Sequence, residues 1–319
     1  MTRVTVVVLS WNGADLLPRC LDAALAQQVD GGAEVWVVDN GSTDRTVELV
    51  RSRYPAVRLV QTGANLGFAG GNNVALRLID TDFVALLNND AVPEPGWLAA
   101  LVTVADTHPE VAAVTGKVLL DGPAGSAGVV NSAGGWVDAL GHGRDRGFRQ
   151  PDDGRWDAPA EVFYAPATAC LYRTAAVHRV GLLDDDFFLY YEDVDLSWRL
   201  RLAGWAVRYT PDAVVRHAHS ATAVSGSPLH IRCDARNRLL TVVKCAPIKT
   251  AVHASLRLPV TAAGFAVRGE PARAARVLQG WLSFLRLLPR ALAARRRIGR
   301  SAVVSRAALD RVRVSLGEK

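Results

Sequence analysis

The chain has 319 residues, half of them apolar and about a fifth charged, with a formal net charge of +6. That composition excludes a disordered, collagenous or disulfide-stapled chain and leaves room for one large α/β domain with an appendage. The charge is unevenly divided: residues 1–228 hold 18 Lys and Arg against 27 Asp and Glu, a net −9, whereas residues 229–319 hold 19 against 4, a net +15.

In chain order, short β-branched runs alternate with helical patterns. Val4–Leu9 reads as a strand, Leu16 to Leu25 as a helix, Val35–Val38 as a strand, a helix follows near Thr43–Arg53, and Val57–Val60 is a third strand. A Gly/Asn loop at 65–73, a helix near Val74–Ile79 and a strand at Phe83–Leu87 complete the first hundred residues. Such alternation predicts a mostly parallel sheet with helices on both faces, and ligands in such sheets sit beyond the carboxyl ends of the strands. A Gly-rich stretch, roughly Gly116–Gly154, reads as an irregular or short-stranded insert. Order resumes at Val162–Ala165 and at a helix over Thr174–Val180. An acidic and aromatic run, Asp184 to Asp195, then leads into a helix stopped by Gly204. Arg- and Leu-rich helical stretches follow near Arg236–Val243, Ile248–Val267 and Ala272–Arg297. The boundaries expected are 1–228 for the α/β domain, with halves of about 1–115 and 116–228, and 229–319 for the basic helical region.

Four widely spaced cysteines (Cys20, Cys170, Cys233, Cys245), without a CxxC pair, suggest neither a zinc site nor a disulfide framework and fit reduced, cytosolic thiols. Met1-Thr2-Arg3-Val4 lacks the apolar block of a signal peptide, so the amino terminus is expected to stay in the cytoplasm.

The residues that follow the strands are polar: Ser10-Trp11-Asn12-Gly13, Asp39-Asn40-Gly41-Ser42, Asn65 to Asn73 and Asn88-Asn89-Asp90. Asp39 ends an apolar strand, where a carboxylate can accept hydrogen bonds from a base or ribose, or cap the helix opening near Thr43. Asp44 reads as a helix-start charge. Asp90 is a carboxylate on a strand end, enough for a hard cation whose other ligands are phosphates and water, or else a turn former. Glu192 and Asp193 open a helix after aromatics, a setting that raises a carboxyl pKa toward that of a general base; charge complementarity at a helix start also favours acids there. His217, after Ala213–Val215, is a candidate ligand for metal or phosphate, or a structural imidazole, and His219 reads as a neighbour facing elsewhere.

Taken together, Asp-Asn-Gly-Ser at 39–42, Asn-Leu-Gly-Phe-Ala-Gly-Gly-Asn-Asn at 65–73, Asn-Asn-Asp at 88–90, Tyr-Glu-Asp-Val-Asp-Leu-Ser-Trp-Arg at 191–199, and His217 with Ser220 resemble the family 2 glycosyltransferases, and most closely their rhamnosyltransferase-like branch, over about residues 3–245. The resemblance implies a GT-A fold and inverting, metal-assisted transfer of a sugar from a nucleotide sugar. It implies that Asp39 contacts the nucleoside, that Ser10, Trp11 and Asn12 border the base, and that Asn65, Gly67, Asn73 and Asn89 belong to the donor site. It also implies that Asp90 is the retained carboxylate of the metal motif, with His217 near metal and pyrophosphate, and that Asp193 is the general base with Glu192 orienting the acceptor. Asn88 and Asn89 depart from that motif and leave Mg2+ or Mn2+ open. The processive Q-x-x-R-W motif does not occur, so one sugar per encounter is expected. The likeness of the loop at 65–73 to those of rhamnosyltransferases favours dTDP-rhamnose, with a UDP-hexose or galactofuranose donor behind it, and the resemblance implies a cell-envelope glycan or polyprenyl-pyrophosphate-linked acceptor. A nucleotidyltransferase lacks its Gly-rich, basic signature after Val4–Leu9. A catalytically silent glycan-binding homologue is the other alternative.

In the tail, the uncharged Leu258–Val267 is too short to cross a bilayer, which needs roughly 20 apolar residues. Val277, Leu278, Trp281, Leu282, Leu285, Leu288 and Leu292 share a helical face beside Arg286, Arg290 and Arg295–Arg297. Such a helix lies on an anionic membrane surface, or packs on the catalytic domain or a second subunit of a homo-oligomer. Nucleic acid is not expected as a partner, since no binding motif accompanies the charge. The sequence thus predicts a cytoplasmic protein peripheral to the inner face of the membrane.

Overall fold

The computed structural model describes residues 2–121, 128–218 and 226–317. His219 and Ser220 lie outside the described residues. The first half is a run of strand and helix: β1 (Val4–Ser10), α1 (Leu17–Leu25), β2 (Ala33–Asp39), α2 (Thr46–Arg53), β3 (Arg58–Gln61), α3 (Gly67–Leu76) and β4 (Phe83–Asn88). β1 is parallel to both β2 and β4, and β2 to β3. Val4, Val6, Val7 and Val8 are fully buried because helices cover both faces, and a strand in that setting needs an unbroken β-branched run.

The sheet continues with β5 (Ala91–Pro93), α4 (Trp97–Thr107), β6 (Val111–Leu120), β7 (Val130–Ser132), β8 (Gly135–Val137), β9 (Gly143–Asp145), β10 (Ala160–Glu161) and β11 (Ala169–Arg173). After α5 (Thr174–Val180) and α6 (Glu192–Leu202) comes β12 (Ala206–His217). The main strand order is β10-β12-β6-β11-β4-β1-β2-β3, with β5 beside β12 and β7 beside β6, while β8 and β9 form a separate hairpin. β11 enters antiparallel between β4 and β6. The fold is thus the GT-A-like α/β arrangement with a C-terminal helical region.

Two expectations need correction. The Gly/Asn segment is not a loop: α3 starts at Gly67 and runs through Gly70 and Gly71. Glycine weakens a helix locally, but a Cβ on Gly71 would stand 2.5 Å from Leu9 Cδ1 and 3.2 Å from Asn40, so only glycine lets α3 seat on the strand ends. Gly116 belongs not to an irregular insert but to the regular strand β6, where a Cβ would clash with the Ala213 carbonyl of β12.

The basic region begins with α7 (Pro228–Cys245), which starts where the composition changes, and continues as α8 (Ile248–Val267), α9 (Pro271–Ser301) and α10 (Arg306–Gly317). These helices share one apolar core with earlier residues: Phe163, Phe187, Trp198 and Leu202 cluster with Leu239, Leu258, Phe284 and Leu309. Lys244 on α7 is buried and pairs with Asp195 at 2.7 Å and Asp184 at 2.5 Å, while Asp195 also holds Arg199 at 2.7 Å. Burial alone would push the Asp184 carboxyl up; Lys244 overrides it and the net shift is down. The apolar face expected on α9 divides. Val277 is buried and Trp281 and Leu288 pack on the core, whereas Leu278, Leu282, Leu285 and Leu292 are exposed. Arg295 does not face outward with its neighbours but donates to the Val243 and Ala246 carbonyls, both at 2.7 Å, closing the end of α7. No described helix is long and apolar enough to cross a membrane.

Candidate functional site

The register of the parallel strands assembles the first wall. Ser10 stands beside Asp39 and Leu9 beside Asn88, so the three strand ends meet where the sheet order reverses around β1. Ser10 Oγ accepts from Asn89 Nδ2 at 3.2 Å, and both residues are buried. The Asp39 carboxylate accepts the Ser42 amide at 3.2 Å and does not cap α2; the Thr46 amide at the start of that helix donates to Asp44, at 3.0 Å. Asn12, in the left-handed region at φ 51°, accepts the Thr43 amide at 2.8 Å, and its own N–H donates to Ser42 Oγ at 2.9 Å. Trp11 leaves its indole 44% exposed on the same rim, a flat surface for a ring.

Asn40, which sequence reasoning passed over, ties this wall to α3. Its Nδ2 donates to Asn65 Oδ1 at 3.1 Å and to the Gly67 carbonyl at 3.0 Å, and its Oδ1 accepts the Leu66 amide at 3.0 Å. Gly67 has φ 72°, and a Cβ there would lie 2.3 Å from the Phe188 carbonyl, which accepts the Phe68 amide at 2.5 Å. Buried Asn73 spends its amide inside the protein: Nδ2 donates to the Leu183 carbonyl at 2.8 Å and to Asp185 at 2.6 Å, and Oδ1 accepts the Leu183 amide at 3.1 Å. Asn73 thus braces α3 against the 183–185 segment, while Asn65 joins the start of α3 to Asn40 and accepts the Gly67 amide at 2.9 Å.

Asp90 and His217 meet because β5 runs antiparallel to β12, with Ala91 opposite His217. His217 Nε2 is 3.1 Å from Asp90 Oδ1, and Nδ1 is 2.7 Å from Asn131 Oδ1. With the carboxamide oxygen of Asn131 accepting Nδ1–H, the Nε2 lone pair faces a carboxylate oxygen. That arrangement calls for a proton or a cation. A carboxylate oxygen and an imidazole nitrogen suit a divalent ion. Among the described residues no group of three His, Cys, Asp or Glu gathers, so phosphate and water would have to complete the shell. Asn131 was not anticipated; it lies in the insert whose sequence has no periodicity.

The second wall is the start of α6. Asp193 accepts the Ala167 amide at 3.1 Å and the Val194 amide at 2.7 Å; burial pushes its carboxyl up, and these bonds moderate the shift. The carbonyl of the next residue, Thr168, accepts the Asn88 amide at 2.9 Å, so two consecutive residues join Asp193 to the end of β4, two residues before Asp90. Glu192 is 6% exposed, and its Oε2 finds no hydrogen-bond partner among the described residues. Burial, then Asp193 and Asp195, push its carboxyl well above the usual range. Asp145 at the end of β9 adds a third carboxyl. It accepts from Ser132 Oγ at 3.1 Å and Tyr164 OH at 3.2 Å, and burial together with the charge of Asp193 pushes it up to about 6, with His217 opposing. It also lies in the insert, where only its place after a Gly-Trp-Val turn-and-strand signal could have marked it. The approach to α6 is strained, with Phe188, Tyr190 and Tyr191 at φ 64–71°. Asn237 of α7 holds it by donating to the Phe187, Leu189 and Tyr190 carbonyls at 2.8–3.0 Å.

A family model described as glycosyltransferase like family 2 matches residues 2–238. The chain belongs to the family 2-like glycosyltransferases. Within that family it is 33% identical over 247 residues, 70% of this chain and 78% of the relative, to the N-acetylglucosaminyl-diphospho-decaprenol L-rhamnosyltransferase of Mycobacterium tuberculosis. It is 24% identical over 227 residues, 69% of this chain and 68% of the relative, to the O-antigen chain rhamnosyltransferase of Salmonella typhimurium. In fold it is similar to GalNAc-T7 with UDP, GalNAc and Mn2+, at a TM-score of 0.64 and 12% identity over 91% of this chain and 58% of that one. A mannosyltransferase from Pyrobaculum calidifontis in complex with GDP-Man and Mn2+ matches with a TM-score of 0.55 and 22% identity over 94% of this chain and 85% of that one. The chain is therefore a glycosyltransferase resembling the rhamnosyltransferases.

Proposed function

We propose that the protein transfers one sugar per encounter with inversion, rhamnose from dTDP-rhamnose, to a polyprenyl-diphosphate-linked or other cell-envelope glycan acceptor. The observation that carries this reading is the Ala167–Thr168 link, which joins Asp193, a carboxyl raised by burial, to the end of β4, two residues before the Asp90 that pairs with His217. The names of the mycobacterial and Salmonella relatives support the sugar, and the mycobacterial name supports the lipid-linked acceptor. Residues 1–115 serve the donor, 116–228 the acceptor and 229–319 the approach to the inner face of the membrane.

Asp90 and His217 would hold Mg2+ or Mn2+, which neutralises charge on a departing nucleoside diphosphate. Asp39 and the Ser10–Asn12 turn take the nucleoside, with Trp11 offering its exposed face. Asp193 Oδ1 or Oδ2 accepts the proton of the acceptor hydroxyl as that oxygen attacks from the face opposite the diphosphate, and inversion follows. Glu192 Oε2, buried and without a hydrogen-bond partner among the described residues, binds a neighbouring hydroxyl of the same sugar.

A thermal melt with Mn2+ against a panel of nucleoside diphosphates and nucleotide sugars tests the reading, because ligands that bind the native state raise its midpoint. A metal-dependent rise selective for dTDP-rhamnose, with transfer that disappears in Asp193→Asn, is the expected result. No rise with any nucleotide sugar would sink it.

A further inference from the structure

A groove of about 590 Å³ opens between α7, α8, α9 and the turn at 138–142, and the chemistry at the strand ends leaves it unused. Ile231, Leu258 and Phe265 form its apolar floor, and three guanidinium groups, Arg238, Arg257 and Arg273, border it against one carboxylate, Asp234. Arg273 lies 4.3 Å from the Phe265 ring and pairs with Glu270 at 3.2 Å. Buried Arg238 donates Nη1 to the Leu140 carbonyl at 2.7 Å, and among the described residues neither it nor the exposed Arg257 has a carboxylate at ion-pair distance. Such a cluster matches a multiply charged phosphate, to which guanidinium forks donate in pairs.

The two ends of the groove differ. At the outer end Arg257 is shared with a shallow face of α8 on which Ile248, Val252, Leu256 and Val260 recur every fourth residue and are 50–69% exposed, with Lys249 and Arg268 beside them. An apolar helical stripe bordered by cations is the form that rests on an anionic bilayer. At the inner end the ring of His230 lies 4.6 Å from Tyr190, and Gly143, next to His142, donates its N–H to Tyr191 OH at 3.2 Å. Tyr190 and Tyr191 lead directly into Glu192 and Asp193. The order from outside to inside is apolar, cationic, then carboxylate, matching the order of chain, diphosphate and sugar in a lipid-linked glycan.

We propose that this groove binds the diphosphate of a lipid-carried acceptor while the α8 stripe rests on the bilayer. The inference depends on the acceptor reading above, but its test needs no sugar transfer, so the two can fail separately. The full-length protein is sedimented with phosphatidylcholine vesicles containing a polyprenyl diphosphate, and with vesicles brought to the same surface charge by phosphatidylglycerol. The expected preference for the diphosphate vesicles is about tenfold or more, the scale of one or two charge-assisted bonds. In Arg257→Gln/Arg273→Gln, with both positions exposed and the melting midpoint retained, affinity falls to that for phosphatidylglycerol. Leu256→Ser/Val260→Ser weakens binding to both vesicle types. Equal binding of the wild type to both would overturn the proposal, as would a preference that survives the double glutamine variant. So would inorganic pyrophosphate bound as tightly as the lipid, which would make the groove a site for free anions.

Discussion

His217 Nε2 lies 3.1 Å from Asp90 Oδ1, and the outer nitrogen of the same ring is fixed by Asn131. Partners behind a metal-binding imidazole set its tautomer and typically matter by about 10–100-fold in metal affinity. Asn131→Ala is therefore expected to weaken Mn2+ by about that factor while leaving nucleotide contacts at Asp39 intact. Asp90→Asn should remove the Mn2+-dependent part of the stabilisation by a nucleoside diphosphate altogether. Titrating Mn2+ against the melting midpoint at fixed dTDP measures both, and an Asn131→Ala curve superimposable on the wild type would refute the assignment.

Glu192 opposes stability once its buried carboxyl must carry charge. Its folded-state pKa is raised by burial, Asp193 and Asp195, so above the unfolded value of 4.5 the native state binds more protons than the unfolded chain. By linkage, stability falls as pH rises from there through the folded pKa. Glu192→Gln abolishes that slope. It should melt higher than the wild type at pH 8, by roughly 2–4 °C for each kcal/mol recovered, and gain little near pH 4. Transfer is lost in the same variant. A pH-independent difference in midpoint would show that the carboxyl charge is not the cause.

Asp145 and Asp193 affect each other as like charges. Asp145 sits at about 6 because it is buried and because Asp193 is near. Repulsion between two carboxylates is mutual, so wherever both are ionised each raises the proton affinity of the other. A general base works deprotonated, and removing the neighbouring charge lowers its pKa. Asp145→Asn is thus expected to move the acid limb of kcat/KM to lower pH, by up to about one unit. A pH–rate profile of donor turnover checks the sign, and a limb that stays in place or moves upward contradicts it.

The strand ends were legible because a strand buried on both faces reads as an unbroken β-branched run, against which Asp39 and Asp90 stand out. The tie between Asp90 and His217 was not, since it depends on β5 pairing with β12 over a long sequence separation. At Gly67–Asn73 local propensity pointed to a loop, and tertiary packing of Gly71 on Leu9 decided for a helix. Asp145 and Asn131 were hidden for another reason. They lie in short strands without enough residues to establish a period, so no pattern distinguished them from turn formers. On α9 the seven residues read as one face divide, and the buried Phe284 and Ala291 were not among them, because periodicity alone does not tell which part of a helix meets a core; Val277 does, while Leu282 and Leu285 do not.

Glu192 and Asp193 are held in place by the strained segment before them. Three non-glycine residues, Phe188, Tyr190 and Tyr191, adopt left-handed backbone just before Glu192, at a cost of order 1–3 kcal/mol each. A single buried amide, Asn237, restrains the segment through three carbonyls, and Arg236 adds a bond to one of them at 2.7 Å. In Asn237→Ala the carbonyls lose their donor inside an apolar core, which costs about 1–3 kcal/mol of stability. The segment should relax toward ordinary φ, turning Glu192 and Asp193 away from the acceptor, so kcat falls more than the donor KM rises. The strand-end wall, built on β1, β2 and β4, meets this segment through α3, whose Phe68 and Ala69 amides donate to the Phe188 carbonyl. Its nucleotide-dependent melting shift should therefore persist. Steady-state kinetics beside nucleotide melts decide the matter: equal losses of donor binding and turnover would mean that Asn237 supports the fold in general and not the acceptor carboxylates.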